Sequence, residues 1–209
     1  MTAQNKEHWE TVYATKNPGQ VSWTQDVPRA SLDFIHSFGL PKTAKIIDVG
    51  AGESKLVDFL LDEGFENITL LDISAKALEK SQKRLGERAK LINWIISDIT
   101  AFEPDTLYDV WHDRATFHFL TSAEQAEKYL AVARKAVTGF LIMGVFSENG
   151  PEKCSGLPVK QYSEENLSAA LKNGFDKLSC VKEYHSTPFG TTQDFLFCSF
   201  RRHTNGGEK

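Results

Sequence analysis

The chain has 209 residues, 41% apolar and 25% charged, which suits one globular domain able to bury a real core. A net charge of −4 offers no basic footprint for nucleic acid, and no apolar run reaches the length of a membrane span. Residues 1–7 are polar and lack the apolar stretch of a signal peptide.

In chain order, Trp9 and Tyr13 stand four apart and share a face of a short helical segment. Asn17-Pro18-Gly19 breaks the chain, and Trp23 follows. These aromatics pack the first 27 residues onto the domain as an arm, or they cover a ligand. Residues 28–38 read as a helix, with Leu32, Ile35 and Phe38 at helical spacing and Gly39 and Pro41 as its stop. Residues 45–49 form an apolar strand that runs into Gly50-Ala51-Gly52. Glycines there let the backbone turn sharply and approach a ligand without a Cβ.

A helix up to Gly64 leads to a second apolar strand, which starts at Ile68 and ends at Asp72. An acid about 20 residues beyond the glycine turn holds the position of a ribose-binding carboxylate. It also suits a helix N-cap, although Ser74 is the better-placed cap. A helix over 75–88 and a third strand over 91–96 follow, with Asp98 and Ile99 just past the strand. Asp98 is a ligand-facing acid or a turn former. The fourth strand is unusual, because it ends in His112-Asp113-Arg114, and buried polar groups are costly unless paired or used. His112 and His118 are candidate bases or packing residues.

A helix over 123–137 and a fifth strand over 140–146 come next. Residues 147–161 form a long loop that departs from the ligand end of the sheet, read as a lid. Cys154 in it has no base nearby and is expected to be solvated. Ser163 caps a further helix, and strands 175–184 and 194–200 are joined by a short link suited to an antiparallel hairpin. Residues 203–209 read as a flexible tail. Strands alternating with helices predict an α/β, doubly wound, mostly parallel seven-stranded sheet with an antiparallel last strand and helices on both faces. The three cysteines, odd in number and widely spaced, fit neither a disulfide framework nor a zinc site. A reducing cytoplasm is therefore expected, with no metal.

Asp48-Val49-Gly50-Ala51-Gly52 resembles the D-x-G-x-G first motif of class I S-adenosylmethionine methyltransferases, with Ser54 where the family often has a further glycine. Lys55 at the third-glycine position argues against a dinucleotide fingerprint. Asp113-Arg114-Ala115 resembles the D-R-G of thiopurine methyltransferases and, more loosely, the D-K-G of some protein-lysine methyltransferases. The resemblance implies that Asp48, Gly50, Ala51, Gly52, Asp72, Ile73, Ser74, Asp98 and Ile99 bind S-adenosylmethionine. It implies that Tyr13 and Trp23 fold over the cofactor, and that Asp113, Arg114 and His118 serve methyl transfer. The implied acceptor is a small molecule or a protein side chain, and the implied state a monomer or weak dimer. A non-catalytic module that only binds S-adenosylmethionine is the alternative.

Overall fold

The computed structural model describes residues 3–203. Most of the expected tail, residues 204–209, lies outside the described residues. The elements in order are α1 (Ala3–Thr15), α2 (Arg29–Ser37), β1 (Lys45–Val49), α3 (Leu56–Asp62), β2 (Asn67–Asp72), α4 (Ala75–Leu85), β3 (Ile92–Ile96) and β4 (Tyr108–Arg114). Then come α5 (Ala123–Ala136), β5 (Val137–Phe146), β6 (Lys153–Cys154), β7 (Leu157–Pro158), α6 (Glu164–Leu171), β8 (Phe175–Ser186) and β9 (Thr192–Arg202).

Seven strands form one sheet in the order β3-β2-β1-β4-β5-β9-β8. The pairs from β3 to β5 are parallel, and β9 runs antiparallel to both β5 and β8. Six strands thus share one direction and the last opposes them, as expected. Helices α2, α3 and α4 cover one face through Leu32, Ile35, Leu56, Leu60 and Leu78, which pack on Ile46, Leu70, Val110 and Ile142. Helices α5 and α6 cover the other through Tyr129, Ala133, Leu167 and Leu171 on Ile47, Val49, Trp111 and Leu141. Burial on both sides explains why the central strands read as unbroken apolar runs.

Four expectations need correction. Helix α4 stops at Leu85, because Gly86 takes φ +58°, and β5 begins three residues earlier than its apolar run. The 147–161 segment is not an irregular solvated loop. It folds back as the β6–β7 hairpin, and Cys154 is buried. Cys180 and Cys198 form a disulfide, since the β8–β9 register sets them directly opposite with Cα atoms 4.1 Å apart. Linear spacing carries no trace of that pairing. Among the described residues no helix is long and apolar enough to cross a membrane, and no acid, histidine and cysteine cluster fits a metal.

Candidate cofactor and acceptor cavity

The strand order reverses around β1, which lies between β2 and β4, and open α/β sheets place ligands beyond such a switch point. A largely apolar cavity opens there. Its floor comes from the carboxyl ends of β1, β2 and β4, and its roof from the N-terminal arm and the β6–β7 hairpin.

The glycine turn follows from what surrounds it. Gly50 has φ +67° and Gly52 φ +54°. A Cβ on Gly50 would lie 1.7 Å from Thr116 Oγ1, and one on Gly52 would lie 2.3 Å from the Tyr13 hydroxyl. Both the backbone angle and the space therefore call for glycine. The N–H groups of Gly50 and Ala51 donate to Leu71 O at 2.7 and 3.1 Å, which ties the turn to β2.

Asp72 is buried at the cavity wall. Its Oδ2 accepts the Gly52 N–H and its Oδ1 the Ser74 N–H, each at 2.8 Å. Burial raises its pKa to about 6 despite those two backbone donors, which pull it down. Asp48 also lines the cavity. His112 Nδ1–H donates to its Oδ1 at 2.7 Å, and Oδ2 has no partner among the described residues. His112 Nε2 lies 2.8 Å from Ser31 Oγ on α2, so both ring nitrogens are committed and the imidazole is not a free base.

The cover is aromatic. Trp9 packs on Trp23 and Phe119 with ring centroids 5.7 and 5.1 Å away, and Tyr13 lies beneath it. Helix α1 is fastened by Glu10. Its carboxylate accepts from Ser74 Oγ, Ala75 N and Lys76 N at 2.8–3.1 Å, at the start of α4. The segment after α1 is gripped by the β8–β9 hairpin: His185 Nε2 lies 2.7 Å from Ser22 O, and Gln25 Nε2 donates to Glu183 at 2.7 Å.

Of the residues expected at a site, Tyr13, Trp23, Asp48, Gly50, Ala51, Asp72, Ile73, Ile99 and Arg114 line this one cavity. Gly52 supports it through Asp72. Ser74 caps α4, accepting from Ala77 N at 3.2 Å. Asp98 accepts from Thr100 N and Oγ1 at 2.9 and 2.8 Å as a turn former, while its neighbours Ser97 and Ile99 reach the cavity.

Two expectations are corrected. Asp113 does not face the cavity. It points to the α5 side, where its carboxylate accepts from Tyr129 Oη at 2.6 Å and from the N–H groups of Thr116 and Phe117. Burial raises its pKa to about 6 as well. His118 is fully buried behind Phe119 and Phe146, away from the cavity lining. Its Nδ1 accepts the Phe146 N–H at 3.2 Å, and burial, with Arg114 adding to it, pushes its pKa down to about 3. The residues missed were Glu10, Thr116, Phe119 and Cys154. Their roles arise from contacts between segments far apart in sequence.

Residues 46–138 match the methyltransferase domain family. The eEF1A lysine and N-terminal methyltransferase of Mus musculus is 25% identical over 120 residues, covering 57% of this chain and 17% of that protein. The EEF1A lysine methyltransferase 2 of Danio rerio is 26% identical over 190 residues, covering 82% of this chain and 75% of that protein. The chain thus spans much less than the full length of the mouse protein and most of the zebrafish one. The fold is similar to that of the N-methyltransferase NodS from Bradyrhizobium japonicum in complex with S-adenosylhomocysteine. The TM-score is 0.72 at 16% identity, over 95% of this chain and 98% of that one. Fold and matched domain agree: residues 46–138 match a methyltransferase domain, and the described chain has the Rossmann-like fold of class I S-adenosylmethionine-dependent methyltransferases.

Proposed function

We propose that the chain transfers a methyl group from S-adenosylmethionine to an acceptor, a small molecule or a protein side chain, bound at the Arg114 end of the cavity. One observation carries this. A turn with glycine forced at positions 50 and 52, a buried acid closing β2 and a guanidinium ending β4 meet at a single cavity under an aromatic roof. The cofactor supplies an electrophilic methyl on a sulfonium. Asp72 would accept the ribose hydroxyls, the Gly50–Gly52 backbone would lie against the cofactor, Ile99 would border its ring system, and the unmatched Oδ2 of Asp48 suits its ammonium. Trp9, Tyr13 and Trp23 exclude water, and the β6–β7 hairpin within 147–161 closes the acceptor side through Cys154. With His112 committed and His118 outside the cavity, the chain orients the reactants, and the nucleophile arrives already deprotonated.

We take residues 1–209 as one domain, monomeric or weakly dimeric and without a nucleic-acid partner, and cytoplasmic, a location against which the Cys180–Cys198 disulfide counts because such bonds are rare in a reducing compartment. The net charge of −4 supports the absence of a nucleic-acid partner. Fractionation and light scattering read location and assembly. Calorimetry should show S-adenosylhomocysteine binding and no NAD binding, and labelled S-adenosylmethionine should mark a component of a metabolite or protein extract. NAD binding without a response to S-adenosylhomocysteine would sink the proposal. Binding with no label transferred to any fraction would favour a non-catalytic module.

A further inference from the structure

Among the described residues, three side chains with permanent positive charge line the cavity, and two of them have acids. Lys55 Nζ lies 2.8 Å from Asp26, and Arg84 Nη2 lies 2.8 Å from Asp58. Arg114 is the third. Its Nη1 donates to Trp23 O at 2.9 Å, and its guanidinium carbon sits 5.0 Å from the Phe195 ring centroid. Its Nε and Nη2 are withdrawn from solvent and have no partner among the described residues. These two N–H groups form one edge of the guanidinium fork, the edge that takes both oxygens of a carboxylate. Leaving such an edge buried and unmatched is costly.

The nearby acids do not fill it. Glu183 accepts from Gln25, and Asp48 accepts from His112. The Cys154 thiol is raised to about 11 by burial, so it stays protonated and brings no charge of its own. The walls of the same cavity are the rings of Trp9, Trp23 and Phe119.

The geometry points to a small, flat carboxylic acid as the methyl acceptor, its carboxylate held side-on by Nε and Nη2 of Arg114 and its apolar body lying against Trp9, Trp23 and Phe119, while a second, deprotonated O, N or S atom on that body forms the bond to the methyl carbon as the sulfonium–methyl bond breaks and S-adenosylhomocysteine leaves. This rests on the methyltransferase function proposed above, in which the Asp72 end of the cavity holds the cofactor. S-adenosylmethionine carries a carboxylate too, so a test has to separate the two sources.

The probe is benzoate, with benzamide as its uncharged counterpart, titrated into protein saturated with S-adenosylhomocysteine. The expected result is that benzoate binds the wild type about ten-fold more tightly than benzamide, the order of one charge-assisted pair. Arg114→Gln should erase that preference and Arg114→Lys, which keeps a point charge without the fork, should reduce it, with S-adenosylhomocysteine affinity changed by less than about two-fold. That affinity also reports whether each variant is folded, and Arg114→Lys retains the charge should the glutamine variant not fold. Equal binding of the two probes to the wild type overturns the inference. So does a benzoate preference that persists in Arg114→Gln or stays undiminished in Arg114→Lys. A large loss of S-adenosylhomocysteine affinity in folded variants assigns the fork to the cofactor's own carboxylate and overturns it as well. If S-adenosylhomocysteine does not bind the wild type at all, the methyltransferase proposal fails first. The benzoate–benzamide comparison on the free protein then still decides the role of Arg114.

Discussion

His112, Asp113 and Arg114 are consecutive, and in the sequence they read as one polar cluster at the end of a strand. The period of a strand is two, so the cluster divides. His112 and Arg114 face the cavity side, and Asp113 faces α5. The presence of buried polar groups was legible, and their division between faces needed only the alternation rule. That Asp113 would be satisfied by Tyr129, sixteen residues on, was not legible. The next residue tells more. Ala115 adopts φ +69°, a region that costs an alanine about 1–2 kcal/mol. It is held there by its N–H bond to Gly144 O at 2.8 Å. The D-R-A triplet thus occupies a turn whose geometry asks for the glycine of D-R-G. Ala115→Gly should raise stability by about 0.5–1 kcal/mol after the extra freedom of glycine in the unfolded chain is counted, or about 1–4 °C in melting temperature. A lower melting temperature would mean that the packing of the Ala115 methyl outweighs the backbone strain.

The arm shows what a single element reveals about itself. Trp9 and Tyr13 at four-residue spacing announced a shared aromatic face, and that face is part of the cavity roof. Glu10, between them in sequence, gave no sign of its role, because its partners lie 64–66 residues away. Burial pushes its carboxyl up, but the Lys76 and Ala75 N–H groups and the Ser74 hydroxyl outweigh it and leave it below the usual range. The carboxylate sits where the N–H groups of α4 are free and the helix dipole is positive. The 147–161 segment is a similar case: two-residue strands have no periodicity to read, so the β6–β7 hairpin and the burial of Cys154 were hidden. Glu10→Ala should weaken arm docking by about 1 kcal/mol, the net value of such bonds at a half-exposed site. Proteolysis within residues 3–27 should then run about five-fold faster, with the melting of the sheet domain little changed. Equal cleavage of wild type and variant would leave the aromatic contacts and the grip of the β8–β9 hairpin on Ser22 and Gln25 as the fastening of the arm.

At the scale of the whole molecule, the sheet was legible because each central strand is buried on both faces and announces itself as an apolar run. The topology places the ends of β1, β2 and β4 around one cavity, where Asp72 is a structural group through Gly52 and Ser74 and, in the proposed function, the ribose acceptor. These two roles oppose each other in pH. Its pKa of about 6 in the folded chain lies above that of an ordinary carboxyl. Its contribution to folding is therefore fully present below the unfolded pKa near 4 and is lost as pH rises through about 6. Ribose binding runs the other way, since the ionised form accepts two hydroxyl donors. S-adenosylhomocysteine affinity should be level above about pH 7 and fall below about pH 6, approaching ten-fold per unit. Asp72→Asn should abolish that slope and weaken binding near neutrality by about 1.5–3 kcal/mol, the value of a hydrogen bond to a charged group. Asp113 has its pKa raised to a similar value but lies off the cavity, so Asp113→Asn should leave the slope in place. Calorimetry of the three proteins from about pH 5 to pH 8 decides between the roles. A flat wild-type profile would mean that Asp72 does not hold the ribose, and a slope lost in Asp113→Asn would move the titrating group to β4.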